Sequence, residues 1–466
     1  MADELKRDGV GPGNPVMLVG FNSIEWIVSF WAIAQLGAIV ALGNPWWVQR
    51  ELLHAIDTLD CSHILAGDGI ELGPSNSIRR IRLATVGELT PSTSATQSSV
   101  DPGENEHEAA VVVFTSGTTG PPKGVTLSHR AVIANLQSLL IRSRRLPEEI
   151  DDPGPQPVTL QTLPLFHMGG VQSMALGLVA GIRLVLIDGR FEPRAVGELI
   201  ERERIQSWSC VPTMLSRVID EPTLALWDVS SLRSLTIGGA MVPPELVRRA
   251  RERFPSAEEA VGSIYGLTEA GGTVTVGSGR DLVERSGTVG FPVPVAEVKV
   301  AEPNDSGVGE ILVRSPSVMM GYWGTAREDN PITRDGWLRT GDVGWIDDDG
   351  FLYLVDRVKD IIIRAGENVA SAHVEAFLKS CEGVADAVVI PLPHPDLGEE
   401  VAAVIVCDEG IGLSANDLAV AAKPFLASFE IPSRWWLRTE PLPMNSIGKV
   451  VKSTVIREWL DRGPRS

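Results

Sequence analysis

A glycine- and hydroxyl-rich segment, TSGTTGPPKG at 115–124, carries the residue types that hold phosphate. It follows a short apolar run, VVVF, and its small residues let backbone N–H groups approach phosphate oxygens while hydroxyls and a lysine add donors. A Walker A loop needs the lysine directly after the last glycine, but two prolines separate Gly120 from Lys123. The segment therefore predicts a phosphate-binding loop of another kind, against the alternative of a flexible turn without a ligand.

Further motifs follow along the chain, and their order resembles that of the adenylate-forming superfamily. This superfamily contains acyl- and aryl-CoA ligases, luciferases and the adenylation domains of peptide synthetases. After TSGTTGPPKG, the resemblance rests on GGA (238–240), YGLTEAGG (265–272), GTVGFPVP (287–294), GEILVRSPSVMMGYW (309–323), GWLRTGD (336–342), DRVKDIIIRAGENV (356–369) and PMNSIGKV (443–450). It covers essentially the whole chain.

The resemblance implies a reaction in two steps. A carboxylate attacks the α-phosphorus of ATP to give acyl-AMP and pyrophosphate, and the thiolate of coenzyme A then attacks the activated acyl carbonyl. ATP, Mg²⁺ and coenzyme A are the implied cofactors and co-substrates. Chemistry of this type depends mostly on positioning and charge neutralisation.

By the same resemblance, one group of residues binds the nucleotide. The β- and γ-phosphates would lie against Thr115, Ser116, Gly117, Thr118, Thr119, Gly120 and Lys123. The adenine would meet Tyr265, Gly266, Gly238, Gly239 and Ala240. Thr268 would contact phosphate, and Glu269 would offer Mg²⁺ the oxygen ligand that this ion prefers. Asp342, with two acceptor oxygens, and Arg357 would bind the ribose, although a turn aspartate and a surface ion pair are the alternatives.

Lys449 is the implied catalytic residue of the first step, and Thr268, Glu269 and His167 complete the catalytic set. A flexible ammonium after a glycine can bridge the substrate carboxylate and the α-phosphate as charge builds up. Lys359 falls where relatives keep the hinge between their lobes, and an exposed surface charge is an equal alternative. The loop that flanks the pantetheine tunnel in relatives corresponds to Gly366, Glu367 and Asn368.

His167, in LPLFHMGG at 163–170, narrows the substrate class. Peptide-synthetase adenylation domains carry an aspartate near this position to pair an α-amino group, so the histidine disfavours amino acids and resembles the acyl- and aryl-CoA ligases. The residues around it are apolar or small, namely Met168, Gly169, Gly170, Val171, Met174, Gly238, Gly239 and Gly271. Such a pocket suits a hydrophobic carboxylate, with a fatty acid as the expected substrate. A satisfied core histidine is the alternative.

The elements that must position these residues alternate for most of the chain. Strands are expected at 158–165, 182–187 and 234–239, and helices at 193–205 and 243–254. This alternation predicts α/β layers with mainly parallel sheets, and two hairpins are expected at 296–315 and 343–357. The predicted fold is α/β. A large N-terminal lobe of stacked α/β sheets plus a β-rich subdomain spans 1–356, and a small α+β domain, mobile by resemblance, spans 357–466.

Composition limits the partners and the location. The 466 residues carry a net charge of -19, which argues against a nucleic-acid partner. The four cysteines form no C-x-x-C pair, so reduced thiols in a cytoplasm are favoured over disulfides or a zinc site. The uncharged segment 26–43 approaches a membrane span in length, but Gln35 and the lack of a basic flank favour a helix buried on all sides. The Ser/Thr/Pro-rich segment 89–105 is expected to be a surface connection or a partly disordered loop, and a homodimer is left open.

The chain departs from the family pattern at three places. Its first residues resemble a point some way into the first lobe of relatives, so an opening helix and strands are expected to be absent. Ala365 stands where a glycine is common and His373 where an acid is common, which bears on the thioester step more than on adenylation. Met444 replaces a basic residue that is frequent before the Gly-Lys pair.

Three functions are therefore compared. The first is an AMP-forming acyl-CoA ligase, and the second is an acyl-AMP ligase that loads a carrier protein. The third is a catalytically weak protein that only holds nucleotide or acyl-AMP. The presence of Lys449, Glu269 and Asp342 argues against the third.

Overall fold

The protein is described by a computed structural model. It describes residues 1–70, 79–82, 106–115, 122–146, 155–187, 191–326, 329–365, 367–408, 412–444 and 450–464, with the backbone alone at 79, 80, 82, 359 and 368. The chain divides into two compact units: Met1–Val298 with Leu312–Thr340, and Lys299–Ile311 with Gly341–Ser466. The predicted domain boundary after residue 356 stays a prediction.

The elements alternate along the first half of the chain. The helices are α1 (Ala2–Arg7), α2 (Ile24–Gln35), α3 (Gln49–Leu59), α4 (His129–Ser143), α5 (Met168–Val179), α6 (Pro193–Glu203), α7 (Pro212–Ile219), α8 (Pro244–Arg253), α9 (Gly279–Glu284), α10 (Ser371–Lys379), α11 (Ala415–Ala422) and α12 (Lys452–Arg462). The strands are β1 (Pro15–Val19), β2 (Ile39–Gly43), β3 (His63–Ala66), β4 (Arg79–Arg82), β5 (Ala109–Thr115), β6 (Lys123–Ser128), β7 (Val158–Gln161), β8 (Arg183–Leu186), β9 (Ser207–Cys210), β10 (Ser234–Gly238), β11 (Val261–Leu267), β12 (Gly272–Gly277), β13 (Thr288–Pro292), β14 (Glu297–Ala301), β15 (Gly309–Arg314), β16 (Gly321–Tyr322), β17 (Leu338–Ile346), β18 (Leu352–Arg357), β19 (Ile361–Arg364), β20 (Glu367–Ala370), β21 (Val384–His394), β22 (Gly398–Cys407) and β23 (Arg434–Arg438).

The first unit contains a seven-stranded sheet in the order β16-β6-β5-β2-β1-β3-β4. Strands β1 to β5 pair in parallel, whereas β6 pairs antiparallel with both β5 and β16. Val112 at the centre of β5 packs with Met17 and Ile64 and with Ile56 of α3. Strands buried on both faces carry continuous apolar runs, which accounts for VVVF before the glycine-rich segment.

A second sheet of the first unit carries the GGA, YGLTEAGG and GTVGFPVP motifs, and it confirms the predicted alternation of strands and helices. Its strands run in the order β13-β12-β11-β10-β9-β7-β8, parallel from β7 to β11 and antiparallel from β11 to β13. Trp208, Leu235 and Ile237 pack against Ile200 of α6 in the main core cluster. Both predicted helices begin at a proline, α6 at Pro193 and α8 at Pro244, because the missing N–H of proline costs nothing in a first turn.

The prediction for 26–43 is wrong, because the segment is a helix followed by a strand. Helix α2 gives way at Leu36, and Gly37 adopts a positive φ of 68° before β2 begins. Helix α2 is not buried on all sides either, since Trp31 is 44% exposed. Among the described residues, no helix is both long and apolar enough to cross a membrane.

The second unit has the predicted α+β character, and both predicted hairpins are present. Strands β14 and β15 are neighbours, and β17 pairs antiparallel with β18. The turn of the second hairpin is closed by Asp347, whose N–H donates to the Phe351 carbonyl at 3.0 Å. Beyond it, β20, β19, β22 and β21 form a sheet in that order, with β23 also pairing with β22. The expected connection at 89–105 lies outside the described residues.

Candidate active site

The two ends of the glycine-rich segment lie side by side. Thr115 ends β5, Lys123 begins β6, and the two residues are direct partners in the antiparallel ladder. The next pair, Phe114 and Gly124, leaves no room for a side chain on the glycine, because a Cβ there would lie 2.9 Å from Val112 Cγ1. Ser116, Gly117, Thr118, Thr119 and Gly120 lie outside the described residues. The described part thus places two predicted phosphate ligands, the half-buried Thr115 and the exposed Lys123, on strands rather than in a loop.

The YGLTEAGG motif is a strand end, a short turn and a return strand. Tyr265 is buried near the end of β11, and a bulge separates it from Gly266. Position 266 accommodates only glycine, because a Cβ there would lie 2.1 Å from the carbonyl oxygen of Gly272. Thr268 and Glu269 follow in a single 3-10 turn, and both are half-buried. The motif therefore presents an aromatic ring, a hydroxyl and a carboxylate within five residues.

The carboxylate of Glu269 has a partner that the motif alone does not reveal. The hydroxyl of Tyr322 donates to Glu269 Oε1 at 3.1 Å, and the Lys123 Nζ atom lies 5.0 Å from the centroid of the Tyr322 ring. Tyr322 lies in GEILVRSPSVMMGYW, a segment that carried the family resemblance but received no role from the sequence. The only signal for it was the position of that motif, since 53 residues separate the two partners.

The GGA motif follows the strand next to β11. Gly238 ends β10 opposite Ile264, and a Cβ on it would lie 2.3 Å from Ile264 Cγ1. Gly239 then turns the chain with a φ of 81°, in the left-handed region that favours glycine. Ala240 follows and is exposed. The two glycines thus allow β10 to pack closely against β11 and the chain to turn after it. The backbone groups of this turn lie where the edge of the adenine is predicted to bind.

Two residues predicted to bind the ribose form an ion pair within the second unit. Asp342 of β17 and Arg357 of β18 are partners in the antiparallel ladder, and Arg357 Nε lies 2.7 Å from Asp342 Oδ1. The Asp342 side chain is only 9% exposed, and that of Arg357 is 36% exposed. The pair is therefore a partly buried one rather than a surface pair.

The next part of the second unit carries the predicted coenzyme A loop. Ala365 has a φ of 52°, so it occupies the left-handed conformation that a glycine takes easily. Glu367 begins β20 and is exposed, the side chain of Asn368 is not described, and Gly366 lies outside the described residues. The side chain of Lys359 is not described, and His373 lies 3.0 Å from Glu430 in an exposed pair.

Lys449, the predicted catalytic lysine, lies outside the described residues. The residues on either side of its segment, Met444 and Val450, pair as an antiparallel bridge. Helix α12 follows and is fixed by Lys452, whose Nζ lies 2.9 Å from a carboxylate oxygen of Glu375 in α10. The described surroundings of Lys449 are therefore anchored within the second unit.

His167 occupies the N-cap position of α5, but its side chain makes no capping hydrogen bond. Its Nε2 atom is buried and has no hydrogen-bond partner among the described residues, and burial lowers the pKa of His167 to about 4. Four of the predicted lining residues are buried on the same helix, namely Met168, Gly170, Val171 and Met174. Both roles of His167, at the border of the acyl pocket and as a core histidine, therefore stay predictions.

Helix α5 also carries a polar residue that the sequence analysis passed over. Gln172 is buried, donates to Asn135 Oδ1, and lies where a side chain on Gly272 would have to be. Asn135 in turn donates to the Thr273 carbonyl at 2.9 Å. This pair of amides ties α4 and α5 to the return strand β12, directly behind the turn that bears Glu269.

Family comparison agrees with the arrangement of these motifs. Residues 1–323 match the family described as AMP-binding enzyme, and residues 373–449 match the AMP-binding enzyme C-terminal domain. The chain belongs to the AMP-binding enzyme family.

This AMP-binding enzyme is similar to several CoA ligases over nearly its whole length. It is 31% identical over 465 residues to feruloyl-CoA synthase of an Amycolatopsis species, with 98% of this chain and 91% of the relative covered. It is 28% identical over 508 residues to a long-chain-fatty-acid–CoA ligase of Bacillus subtilis, with 98% and 88% covered. The structure of o-succinylbenzoate CoA synthetase from Bacillus subtilis, in complex with its acyl-adenylate intermediate, matches with a TM-score of 0.82 at 26% identity, covering 97% of this chain and 90% of that one.

These findings confirm the predicted family, fold class and enzyme class. The protein is an AMP-forming acid–thiol ligase of the acyl-CoA and aryl-CoA type, and it works through an adenylate with ATP, Mg²⁺ and coenzyme A. The same synthetase from Bacillus subtilis has also been solved with ATP and a magnesium ion.

The described residues fit these cofactors. They contain no group of three or more His, Cys, Asp or Glu that could hold a metal. A single half-buried carboxylate, Glu269, suits Mg²⁺, which is usually bound by one or two carboxylates together with substrate phosphates. Of the residues predicted to bind the nucleotide, the first unit holds the buried ring of Tyr265 and the glycine backbone at 238–239. The second unit separately holds the Asp342–Arg357 pair, and the role of each of these groups stays a prediction.

Proposed function

We propose that the enzyme activates a hydrophobic monocarboxylic acid, with a fatty acid as the expected substrate, and transfers it to coenzyme A. The observation that carries the proposal is the burial of the His167 Nε2 atom, which lowers the pKa of this histidine to about 4. At pH 7 it offers no positive charge to a second carboxylate on the substrate. Met168, Val171 and Met174 surround the same helix start with apolar side chains. Two relatives that act on hydrophobic acids by name, the feruloyl-CoA synthase and the long-chain-fatty-acid–CoA ligase, support the same substrate class.

In the first half-reaction, cationic and hydroxyl groups are proposed to stabilise charge on the phosphates. Lys449 bridges the attacking carboxylate and the α-phosphate, and Thr268 donates to phosphate. The segment from Thr115 to Lys123 holds the departing pyrophosphate. Glu269 would hold Mg²⁺, which would supply charge neutralisation at the phosphates. Because preorganised donors act where charge develops, this half-reaction should depend strongly on Lys449.

The nucleoside is proposed to bind through groups that the structure describes in each unit separately. Tyr265 stacks on the adenine, whose edge meets the backbone of Gly238, Gly239 and Ala240. Asp342 accepts hydrogen bonds from the ribose hydroxyls, and Arg357 orients the Asp342 carboxylate through the ion pair between the two residues.

In the second half-reaction, the loop with Gly366, Glu367 and Asn368 is proposed to flank the pantetheine arm. Ala365 keeps the backbone conformation that a glycine would take, which supports a loop of the family's shape. Ala365 carries a Cβ that a glycine would lack. This extra group is the one observation that favours the alternative function, an acyl-AMP ligase with a weak thioester step.

The test is a panel of saturated fatty acids, cinnamic acids and dicarboxylic acids, assayed with and without coenzyme A. Pyrophosphate release measures adenylation, and mass spectrometry separates acyl-AMP from the thioester. We expect pyrophosphate and thioester with hydrophobic monocarboxylates, and little of either with dicarboxylates.

Each other outcome points to one alternative. Preference for a dicarboxylate would contradict the assignment of His167. Acyl-AMP that accumulates without any thioester would favour the carrier-protein ligase, and no turnover with any acid would favour the weak binder. Analytical ultracentrifugation of the same sample tests whether the enzyme is a homodimer.

A cytoplasmic location is proposed from the cysteines. Cys61, Cys210, Cys381 and Cys407 are all unpaired. Burial raises the pKa of Cys61 to about 11 and also raises that of Cys210, so these thiols are poor nucleophiles. Unpaired thiols suit a reducing compartment.

A further inference from the structure

The segment from Ser317 to Tyr322 encloses the turn that carries Glu269. Ser317 Oγ donates to the Ala270 carbonyl at 2.8 Å, and the Met319 N–H donates to the Glu269 carbonyl at 2.9 Å. The approach is close, because a Cβ on Gly271 would lie 2.1 Å from the Ser317 carbonyl oxygen. Backbone and side-chain contacts of one segment therefore fix the position of the Glu269 backbone.

Tyr322 adds a contact to the carboxylate of Glu269 itself. Its hydroxyl donates to Oε1 at 3.1 Å, so the bond restricts the rotation of the carboxylate. The tyrosine is held on its own side by β16, where it pairs with Val125 of β6, and its N–H donates to Asn330 Oδ1 at 2.7 Å. A donor fixed by a strand pairing is a rigid support for an acceptor on a short turn.

The ring of the same tyrosine faces the glycine-rich segment. Lys123 Nζ lies 5.0 Å from the ring centroid, within the range of a cation–π interaction. Lys123 is exposed, so it has many rotamers available unless a partner restricts them. Tyr322 thus contacts the predicted metal ligand through its hydroxyl and the predicted pyrophosphate ligand through its ring.

We propose that Tyr322 is a positioning residue for adenylation, which orients Glu269 toward Mg²⁺·ATP with its hydroxyl and restrains Lys123 with its ring. The proposal rests on the proposed function, which gives Glu269 to Mg²⁺ and Lys123 to the phosphates. Carboxylates that bind metals are themselves held by hydrogen bonds, and loss of such a partner typically costs about 10- to 100-fold in metal affinity or activity.

Two variants separate the hydroxyl from the ring. Tyr322→Phe removes only the hydrogen bond to Glu269, and Tyr322→Leu removes the ring as well. Tyr353→Phe is the matched control, because its hydroxyl donates to Asp347 Oδ2 at 3.3 Å in the turn of the β17–β18 hairpin. Thermal unfolding of each variant is measured first, to compare the stability of the fold.

The decisive readout is binding, measured without turnover. Mn²⁺ is titrated into enzyme with saturating ATP and followed by electron paramagnetic resonance, and ATP is titrated without metal by calorimetry. We expect Tyr322→Phe to weaken Mn²⁺ binding about tenfold and to leave metal-free ATP binding unchanged. Tyr322→Leu should in addition weaken metal-free ATP binding by roughly two- to fivefold, as lost restraint of Lys123 predicts. In steady state, KM for Mg²⁺·ATP should rise while KM for the acid stays constant.

Variants of the two partner residues, Glu269 and Lys123, test whether Tyr322 acts through them. In a Glu269→Gln enzyme, Tyr322→Phe should cause no further loss of Mn²⁺ binding. In a Lys123→Met enzyme, Tyr322→Leu should cause only the loss that Tyr322→Phe causes. If Tyr322→Leu alone is unstable, the Glu269→Gln and Lys123→Met enzymes serve as folded references.

Failure of the inference can be distinguished from failure of the proposed function. If the wild-type enzyme binds Mn²⁺·ATP and releases pyrophosphate but Tyr322→Phe matches it in Mn²⁺ binding, the positioning role is wrong and the function stands. A uniform loss of affinity for ATP, metal and acid with a lower unfolding temperature would mark Tyr322 as merely structural and overturn the inference. If the wild-type enzyme shows no metal-dependent ATP binding, the assignment of Glu269 in the proposed function is wrong.

Discussion

Arg357 Nε lies 2.7 Å from Asp342 Oδ1 across the paired strands β17 and β18. Two residues that the sequence assigned separately to the ribose are therefore one partly buried ion pair. A charged pair that is held by strand register positions its carboxylate without needing a bound ligand, because the backbone ladder fixes both Cα atoms. The effect of either residue on nucleotide binding should then depend on the other.

The first prediction follows from this pair. Asp342→Asn and Arg357→Gln should each weaken the binding of AMP about tenfold or more, since a hydrogen bond to a charged group contributes roughly 1.5–3 kcal/mol. The double variant should lose less than the sum, because residues in one network couple. Calorimetric titration with AMP isolates the nucleoside contacts from Mg²⁺. Arg280→Gln is the control, since Arg280 forms an exposed helix pair with Glu284. Strictly additive losses would show that the two residues act independently.

The second prediction concerns pH and His167. Its pKa of about 4 in the folded protein lies below the usual value near 6.5, because burial disfavours the charged form. The unfolded chain then binds more protons than the folded one between about pH 6.5 and 4, so this histidine makes the free energy of unfolding fall as the pH is lowered through that range. The contribution reaches about 3 kcal/mol at the low end.

Denaturant unfolding of the wild type and of His167→Leu from pH 8 to pH 4 measures this term. Other titrating groups cancel in the difference between the two curves. We expect the difference to be constant above about pH 7 and to change in favour of the variant as the pH falls. Parallel curves over the whole range would contradict a neutral His167.

The third prediction concerns Lys449. Lys449→Ala should slow pyrophosphate release by about 100- to 1000-fold, the usual effect of removing one preorganised donor to a charged transition state. Thioester formation from supplied acyl-AMP should be affected far less, because the α-phosphate is already joined to the acyl group at that stage. Lys423→Ala, at an exposed lysine after α11, is the control. Equal losses in the two half-reactions would refute the assignment.

The fourth prediction concerns Ala365. An alanine in the left-handed region carries a strain of roughly 1–2 kcal/mol that glycine avoids, so Ala365→Gly should raise the free energy of unfolding by about 0.5–1 kcal/mol after the added entropy of the unfolded chain. The same change at Ala372, in helix α10, should lower stability by a similar amount. Chemical denaturation measures both. If the Cβ of Ala365 hinders coenzyme A, thioester formation should also accelerate in Ala365→Gly, and a drop in stability would show that the position is not strained.

Much of the fold could be predicted because its signals are local. The hairpin turn at Asp347–Gly350 and the proline starts of α6 and α8 depend on residues within one turn of the chain. The prediction of one buried helix over 26–43 was wrong because this segment has no such local signal. An unbroken apolar run fits a buried strand as well as a buried helix. Only the left-handed turn at Gly37 separates α2 from β2.

The sequence by itself determined the family, the reaction class and the order of the motifs, because these depend on residue types at short spacings. Tertiary structure alone decided which residues act on one another. It brings the Tyr322 hydroxyl to Glu269 through the pairing of β16 with β6, joins Asp342 to Arg357, and places Gln172 behind Gly272. It also lowers the pKa of His167, because that shift depends on burial in the folded chain. Contacts of this kind depend on strand register and packing, and neither is encoded within a single motif.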